Sequence, residues 1–106
     1  MQTNRNERVR EALREVAAEF LVREAGPQSL VTVTRAELSE DGKRGTIYLS
    51  VLPETAEQAA VDFANRNRSE FSSFFKTRIT GALPPHVEFA VDRGEKNRQR
   101  LDELSQ

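Results

Sequence analysis

Apolar residues recur every three to four positions across residues 5–24, RNERVREALREVAAEFLVRE. Val9, Leu13, Val16 and Phe20 fall on one stripe with Ala12 and Ala17 beside it, which predicts an amphipathic helix. Asn4 and Glu7 have capping-box spacing at its start. Glu7–Arg10, Glu11–Arg14 and Glu19–Arg23 lie three or four apart, so the charges read as a solvated, self-supporting face. Gly26-Pro27 ends the pattern. The period then drops to two. LVTVTRAEL (30–38) is rich in β-branched residues, and its apolar phase slips from Val31 and Val33 to Ala36 and Leu38, as a β-bulge requires. TIYLSVL (46–52) keeps Ile47, Leu49 and Val51 on one face. The turn-forming SEDGKRG between the two runs predicts a hairpin with Asp41-Gly42 at its tip.

Helical spacing returns after Pro53. Thr55 and Gln58 offer a second capping box ahead of Ala56, Ala59, Ala60 and Phe63. Phe71, Phe74, Phe75 and Ile79 form another helical face, and the Asn, Arg and Ser residues between the two faces are poor helix-interior choices. Two helices joined by a kink near Asn67-Arg68-Ser69 are expected, closed by Gly81 and Pro84-Pro85. HVEFAVD (86–92) alternates cleanly as a third strand, with Val87, Phe89 and Val91 inward. The expected fold is α+β, in the order helix, strand, strand, helix, kink, helix, strand. Its three-stranded mixed sheet is covered on one face by helices.

Composition narrows the functions. At 106 residues the chain is one domain, expected as a folded unit over 1–92 with a short charged tail over 93–106. No apolar run approaches membrane-spanning length, and the start lacks a signal-peptide core. The absence of cysteine excludes disulfides and thiolate metal sites and suits a cytoplasmic address. Catalysis finds no footing. His86, the single histidine, opens a strand without a cysteine partner, Ser72 and Ser73 lack a nucleophile-elbow context, and no Walker lysine or metal-ligand cluster is present. No enzyme activity, cofactor, metal or small-molecule substrate is expected. No apolar stripe is left over after the core, so a monomer is expected.

The net charge of −1 gives no whole-molecule attraction to a polyanion, so any nucleic-acid contact must be local. Between Asn65 and Arg78, four cations (Arg66, Arg68, Lys76 and Arg78) face one carboxylate, Glu70. Asn65 and Asn67 add neutral hydrogen-bonding groups. Such a segment suits phosphate contacts, which position a protein without reading bases. Equally, the arginines could pair with Asp62 and Glu70 on a wet surface, and the residues alone favour neither reading. The phenylalanines have the spacing of a buried stripe rather than of base-stacking platforms. Tyr48, opposite Ile47 and Leu49, is a minor contact candidate on the open sheet face.

This element order is that of a type II K-homology (KH) domain. GKRG (42–45) has the GxxG spacing with which KH domains hold a nucleic-acid backbone, but that loop joins helices, whereas GKRG sits in a hairpin. ERVREALREVAAEFL, VTVTRAELSEDGKRGTIYLSVL, KTRITGALPPHVEF and FAVDRGEKNRQRLDELS follow one another in register over nearly the whole chain, and on these stretches the chain resembles the ribosome-binding factor A family of bacterial small-subunit assembly factors. That family replaces GxxG by an Ala-x-Gly kink, which falls on Asn67, Arg68 and Ser69 here; this chain departs from it at both defining positions. The resemblance implies a KH-like domain that binds the 30S subunit and its 16S rRNA and assists rRNA processing and late maturation, without chemistry of its own. Arg66, Arg68, Lys76 and Arg78 would contact phosphates beside Asn65, Asn67 and Ser69, with Lys43 and Arg44 as secondary contacts. Four neutralised phosphates would give a log–log salt slope of roughly −3. The alternatives are a protein-interaction module of the same fold and a general RNA binder without ribosome preference.

Overall fold

The computed structural model describes residues 5–24, 29–81 and 84–94. Helix α1 (Arg5–Glu24) is followed by strands β1 (Leu30–Leu38) and β2 (Arg44–Leu52), a 3-10 turn (Glu54–Ala56), helices α2 (Glu57–Arg66) and α3 (Arg68–Arg78), and strand β3 (His86–Val91). The expected α+β order holds, and the two helices meet at Asn67, inside the predicted kink. Asn4 and the tail beyond Gly94 lie outside the described residues.

The sheet order is β1-β2-β3. β1 and β2 pair antiparallel as a hairpin, while β2 and β3 run parallel and therefore need a crossover, which α2 and α3 supply. The register slips between Val33 and Arg35, so the bulge foreseen from the phase shift is present, with Thr34 as its extra residue. All helices pack on one face. Ile47, Leu49 and Val51 are buried beneath them together with Leu13, Phe20, Phe71, Phe75, Val87 and Phe89. Thr46, Tyr48 and Ser50 occupy the opposite, open face, half-buried.

Two local expectations change. β2 begins at Arg44 rather than at Thr46, so Arg44 and Gly45 belong to the ladder and pair with His86 and Val87 of β3. Gly45 occupies the core-facing row beneath Leu13 of α1: a Cβ there would lie 3.1 Å from Leu13 Cδ1 and 3.4 Å from the Glu37 carbonyl. In the second change, the Thr55–Gln58 capping box does not form. The 3-10 turn takes up Thr55, α2 starts without a side-chain cap, and Gln58 instead donates to Asp62 at 2.9 Å.

The Gly45 packing yields a test. Gly45→Ala should cost roughly 1–2 kcal/mol, as overpacking does, in the parent chain. It should cost little in a Leu13→Ala background, where the opposing methyl is gone. Urea unfolding of the four chains measures the coupling, and independent effects would refute this packing.

Candidate nucleic-acid interface

The hairpin tip answers the GKRG question. Gly42 adopts φ +71, its N–H bonds the Ser39 carbonyl at 2.9 Å, and the next two amides donate to the Asp41 carboxylate (3.0 Å) and the Ser39 hydroxyl (3.1 Å). Accepting from the Ser39 hydroxyl and the Lys43 amide holds the Asp41 carboxyl below its usual range. With these three amides occupied, the loop has no nest in which to cradle a phosphate. Lys43 and Arg44 project as exposed cations at the sheet end, near His86, also exposed, and Asn6, whose amide donates to the Glu40 carbonyl at 3.0 Å.

The second cationic segment is organised by the bend. Asn67 has φ −103 and ψ 23, its side-chain amide donates to the Phe63 carbonyl at 2.8 Å, and its own carbonyl accepts from Phe71 at 2.9 Å. That backbone region is open to any residue, so glycine's freedom is not needed to turn the chain here. Arg66 and Arg68 flank the bend directly. In α2, Arg66 is exposed while Ala64 is buried. In α3, Phe71 and Phe75 are fully buried. Arg68 and Lys76 lie two turns apart, about 12 Å along the axis and about 80° around it. Arg78 leaves on the other side of the phenylalanines, over the Phe74 ring (4.9 Å) and into an ion pair with Glu19 of α1 (2.5 Å). Both partners of that pair are nearly half exposed, so it contributes about 0–1 kcal/mol and does not lock Arg78 in place.

Sequence reasoning offered Asp62 and Glu70 as partners for these cations. Neither takes part in an ion pair with them: Asp62 accepts from Gln58, and among the described residues Arg66, Arg68 and Lys76 have no carboxylate within bridging distance. Ser69 is exposed in the first turn of α3. Asn65 is placed differently, its amide turned inward onto the backbone of Phe89. The segment thus puts Arg66 and Arg68 at one bend with Asn67 and Ser69, places Lys76 two turns further along α3, directs Arg78 toward α1, and leaves Lys43 and Arg44 as a separate group.

A polar cluster on the open sheet face escaped the sequence. The Asp92 carboxylate, only 5% exposed, accepts from the Thr34 hydroxyl at 2.6 Å and from Arg35 Nε at 3.3 Å. The Arg35 guanidinium stacks 4.0 Å over Tyr48, pairs with Glu37, and is held further into its charged range mainly by the Glu37 bond. Burial, then the Glu37 contact, pushes the Tyr48 hydroxyl up. The slipped apolar phase at Thr34 is the one sequence signal of this cluster, because the bulge aims Thr34 and Arg35 at the end of β3. Among the described residues no three His, Cys, Asp or Glu side chains assemble a metal site, and no helix is long and apolar enough to cross a membrane.

The ribosome-binding factor A family model matches residues 5–105. The chain belongs to the ribosome-binding factor A family. Curated ribosome-binding factor A proteins agree: that of Halorhodospira halophila is 30% identical over 109 aligned residues, covering 95% of this chain and 86% of its own. That of Fervidobacterium nodosum is 26% identical over 98 residues, covering 87% and 78%. Among solved structures, the crystal structure of ribosome-binding factor A from Thermus thermophilus superposes with a TM-score of 0.70 at 23% identity, covering 81% of this chain and 94% of that one. A Thermus thermophilus homology model fitted into a map of a 30S–RbfA complex superposes with a TM-score of 0.65 at 23% identity, covering 88% and 97%. At that identity the likeness speaks for the fold. The bend in this chain is made at Asn67, the first of the three positions on which the resemblance placed the ribosome-binding factor A kink.

Proposed function

We propose that this chain binds the small (30S) ribosomal subunit through the backbone of its 16S rRNA and assists rRNA processing and late subunit maturation. It acts as a cytoplasmic, cofactor-free monomer without chemistry of its own. The observation that carries the reading is that Arg66 and Arg68 flank one bend and Lys76 follows two turns further along α3, none of the three with a carboxylate partner among the described residues, on a protein whose net charge is −1. Cations without an internal partner are free to meet an external anion, and family membership favours ribosomal RNA as that anion. The name borne by its relatives, and the 30S complex in which a Thermus homologue was fitted, support the same partner.

In this reading residues 1–92 are the KH-like RNA-binding unit and 93–106 a charged tail. Arg66, Arg68 and Lys76 meet phosphates, with Asn67 and Ser69 adding neutral hydrogen bonds. Arg78 joins by leaving Glu19 at small cost, and Lys43 and Arg44 make secondary contacts. The protein works by differential affinity: it favours one conformation of the precursor rRNA and binds the finished subunit more weakly.

Co-sedimentation with immature small subunits at several salt concentrations tests this. Arg66, Arg68, Lys76 and Arg78, about four neutralised phosphates, predict a log–log slope of roughly −3. A chain that stays in the supernatant even at low salt overturns the reading. Equal binding to unrelated RNAs would replace it by general RNA binding.

A further inference from the structure

Asn65 stands among the residues expected to touch RNA, yet its amide is already engaged. Its Nδ2 donates to the Phe89 carbonyl at 3.1 Å and its Oδ1 accepts from the Phe89 N–H at 2.9 Å. β3 is an outer strand whose inner side faces β2, where the N–H groups of His86 and Asp92 bond Lys43 and Leu49. Backbone direction alternates along a strand, so the N–H and C=O of Phe89 point outward to the open edge. One side-chain amide thus takes the place of a neighbouring strand and satisfies both groups, which would otherwise be unpaired beneath α2.

Two hydrogen bonds from one planar amide fix orientation as well as position. The residue they fix lies in the last turn of α2, next to Arg66 and three before Arg68. On its other side the bend is held by Asn67, whose amide and N–H both reach the Phe63 carbonyl. The bend is therefore set by side-chain amides, and Asn65 is the one that ties it to the sheet.

We propose that Asn65 is a positioning residue of the RNA interface: its clamp on Phe89 sets the directions in which Arg66 and Arg68 leave the bend, and so how many phosphates they can meet at once. The proposal rests on the ribosomal reading above and adds to it a residue that touches no RNA. Without the clamp the two arginines keep their charge but lose their common geometry, and a backbone of fixed phosphate spacing meets fewer of them.

The experiment compares the parent, Asn65→Ala and a stability control, Val87→Ala, which thins the core on the same strand at a residue 2% exposed and away from the bend. Each chain is titrated onto immature small subunits and onto single-stranded poly(U) over a range of salt, at a temperature where circular dichroism shows it folded. Asn65→Ala should flatten the slope by about one phosphate, 0.7–0.9, and weaken low-salt binding about tenfold, whereas Val87→Ala keeps the parental slope. Amide exchange should accelerate selectively at Phe89 in Asn65→Ala, and across the core as a whole in Val87→Ala. If Asn65→Ala does not fold, Asn65→Ser, which retains one hydroxyl for Phe89, should give a smaller change of the same sign. A parental slope in a folded Asn65 variant would reduce Asn65 to a structural role and overturn the proposal. A parent that ignores subunits but binds poly(U) removes the ribosomal reading while leaving the slope comparison decisive, and a parent that binds neither overturns both.

Discussion

Reversing Arg66, Arg68 and Lys76 to Glu in one chain should weaken binding to immature small subunits about 100- to 1,000-fold at low salt, with the thermal midpoint nearly unchanged. The fold loses little because none of the three has a carboxylate partner among the described residues. Surface substitutions of this kind usually stay within about 0.5 kcal/mol. The complex loses much because each reversal deletes an attraction and installs a repulsion, each worth about 1 kcal/mol at 4 Å in water before salt screening. Three such sites, partly screened, amount to roughly 3–4 kcal/mol, and about 1.4 kcal/mol is a factor of ten. The salt slope should flatten to what Arg78, Lys43 and Arg44 still contribute. Reversing the exposed α1 trio Arg5, Arg8 and Arg10 changes formal charge equally and serves as the control. If it weakened binding as much, attraction would be a property of overall charge and the bend would not be the site. Arg78→Glu should behave differently again, losing a fraction of a kcal/mol of stability through repulsion by Glu19.

What sequence could and could not disclose divides along contact distance. The helix and hairpin periods are local, and α1 and β1 lie where periodicity puts them. Even the bulge at Thr34 is visible, because one extra residue must flip the apolar phase. Glu11–Arg14, three apart, pairs as its spacing implies. The start of β2 is misjudged for a physical reason: glycine usually marks a turn, but Gly45 is a strand residue kept small by Leu13 of a helix more than thirty positions away. The basic count between Asn65 and Arg78 was legible, whereas the fate of each residue was not. Arg78 finds Glu19 at a separation of 59 residues and Asn65 finds Phe89 at 24, contacts that exist only once α3 lies on α1 and α2 on β3. Asp92 was invisible for the same reason, its partners Thr34 and Arg35 being nearly sixty positions away. Charges left without partners among the described residues are what remains of this sorting, and only the folded chain identifies them.

The largest loss of stability should come from Phe71→Ala, at about 3–5 kcal/mol. Phe71 is fully buried, and its ring meets Phe20 of α1 edge-on at 5.6 Å, Phe89 of β3 edge-on at 5.7 Å and Phe75 at 6.2 Å. One side chain thus joins the helix that carries Arg68 and Lys76 to α1 and to the sheet. Aromatic pairs add about 0.5–1.5 kcal/mol each beyond the area they bury, and removing the ring leaves a cavity that three neighbouring phenylalanines cannot easily fill. A domain of this size has roughly 5–15 kcal/mol in total, so the loss is a large fraction of it. Urea unfolding should show a lower midpoint at an unchanged slope. Phe74→Ala, at a half-buried ring against Phe20, should cost clearly less. Equal costs would mean that α3 is rotated from the orientation described, which would also move Arg68 and Lys76. The same pair of variants decides what the phenylalanines are for. A base-stacking platform would lose RNA affinity on truncation while the fold stood firm. A ring with no exposed surface cannot meet a base, so below its unfolding temperature Phe71→Ala should keep the parental salt slope.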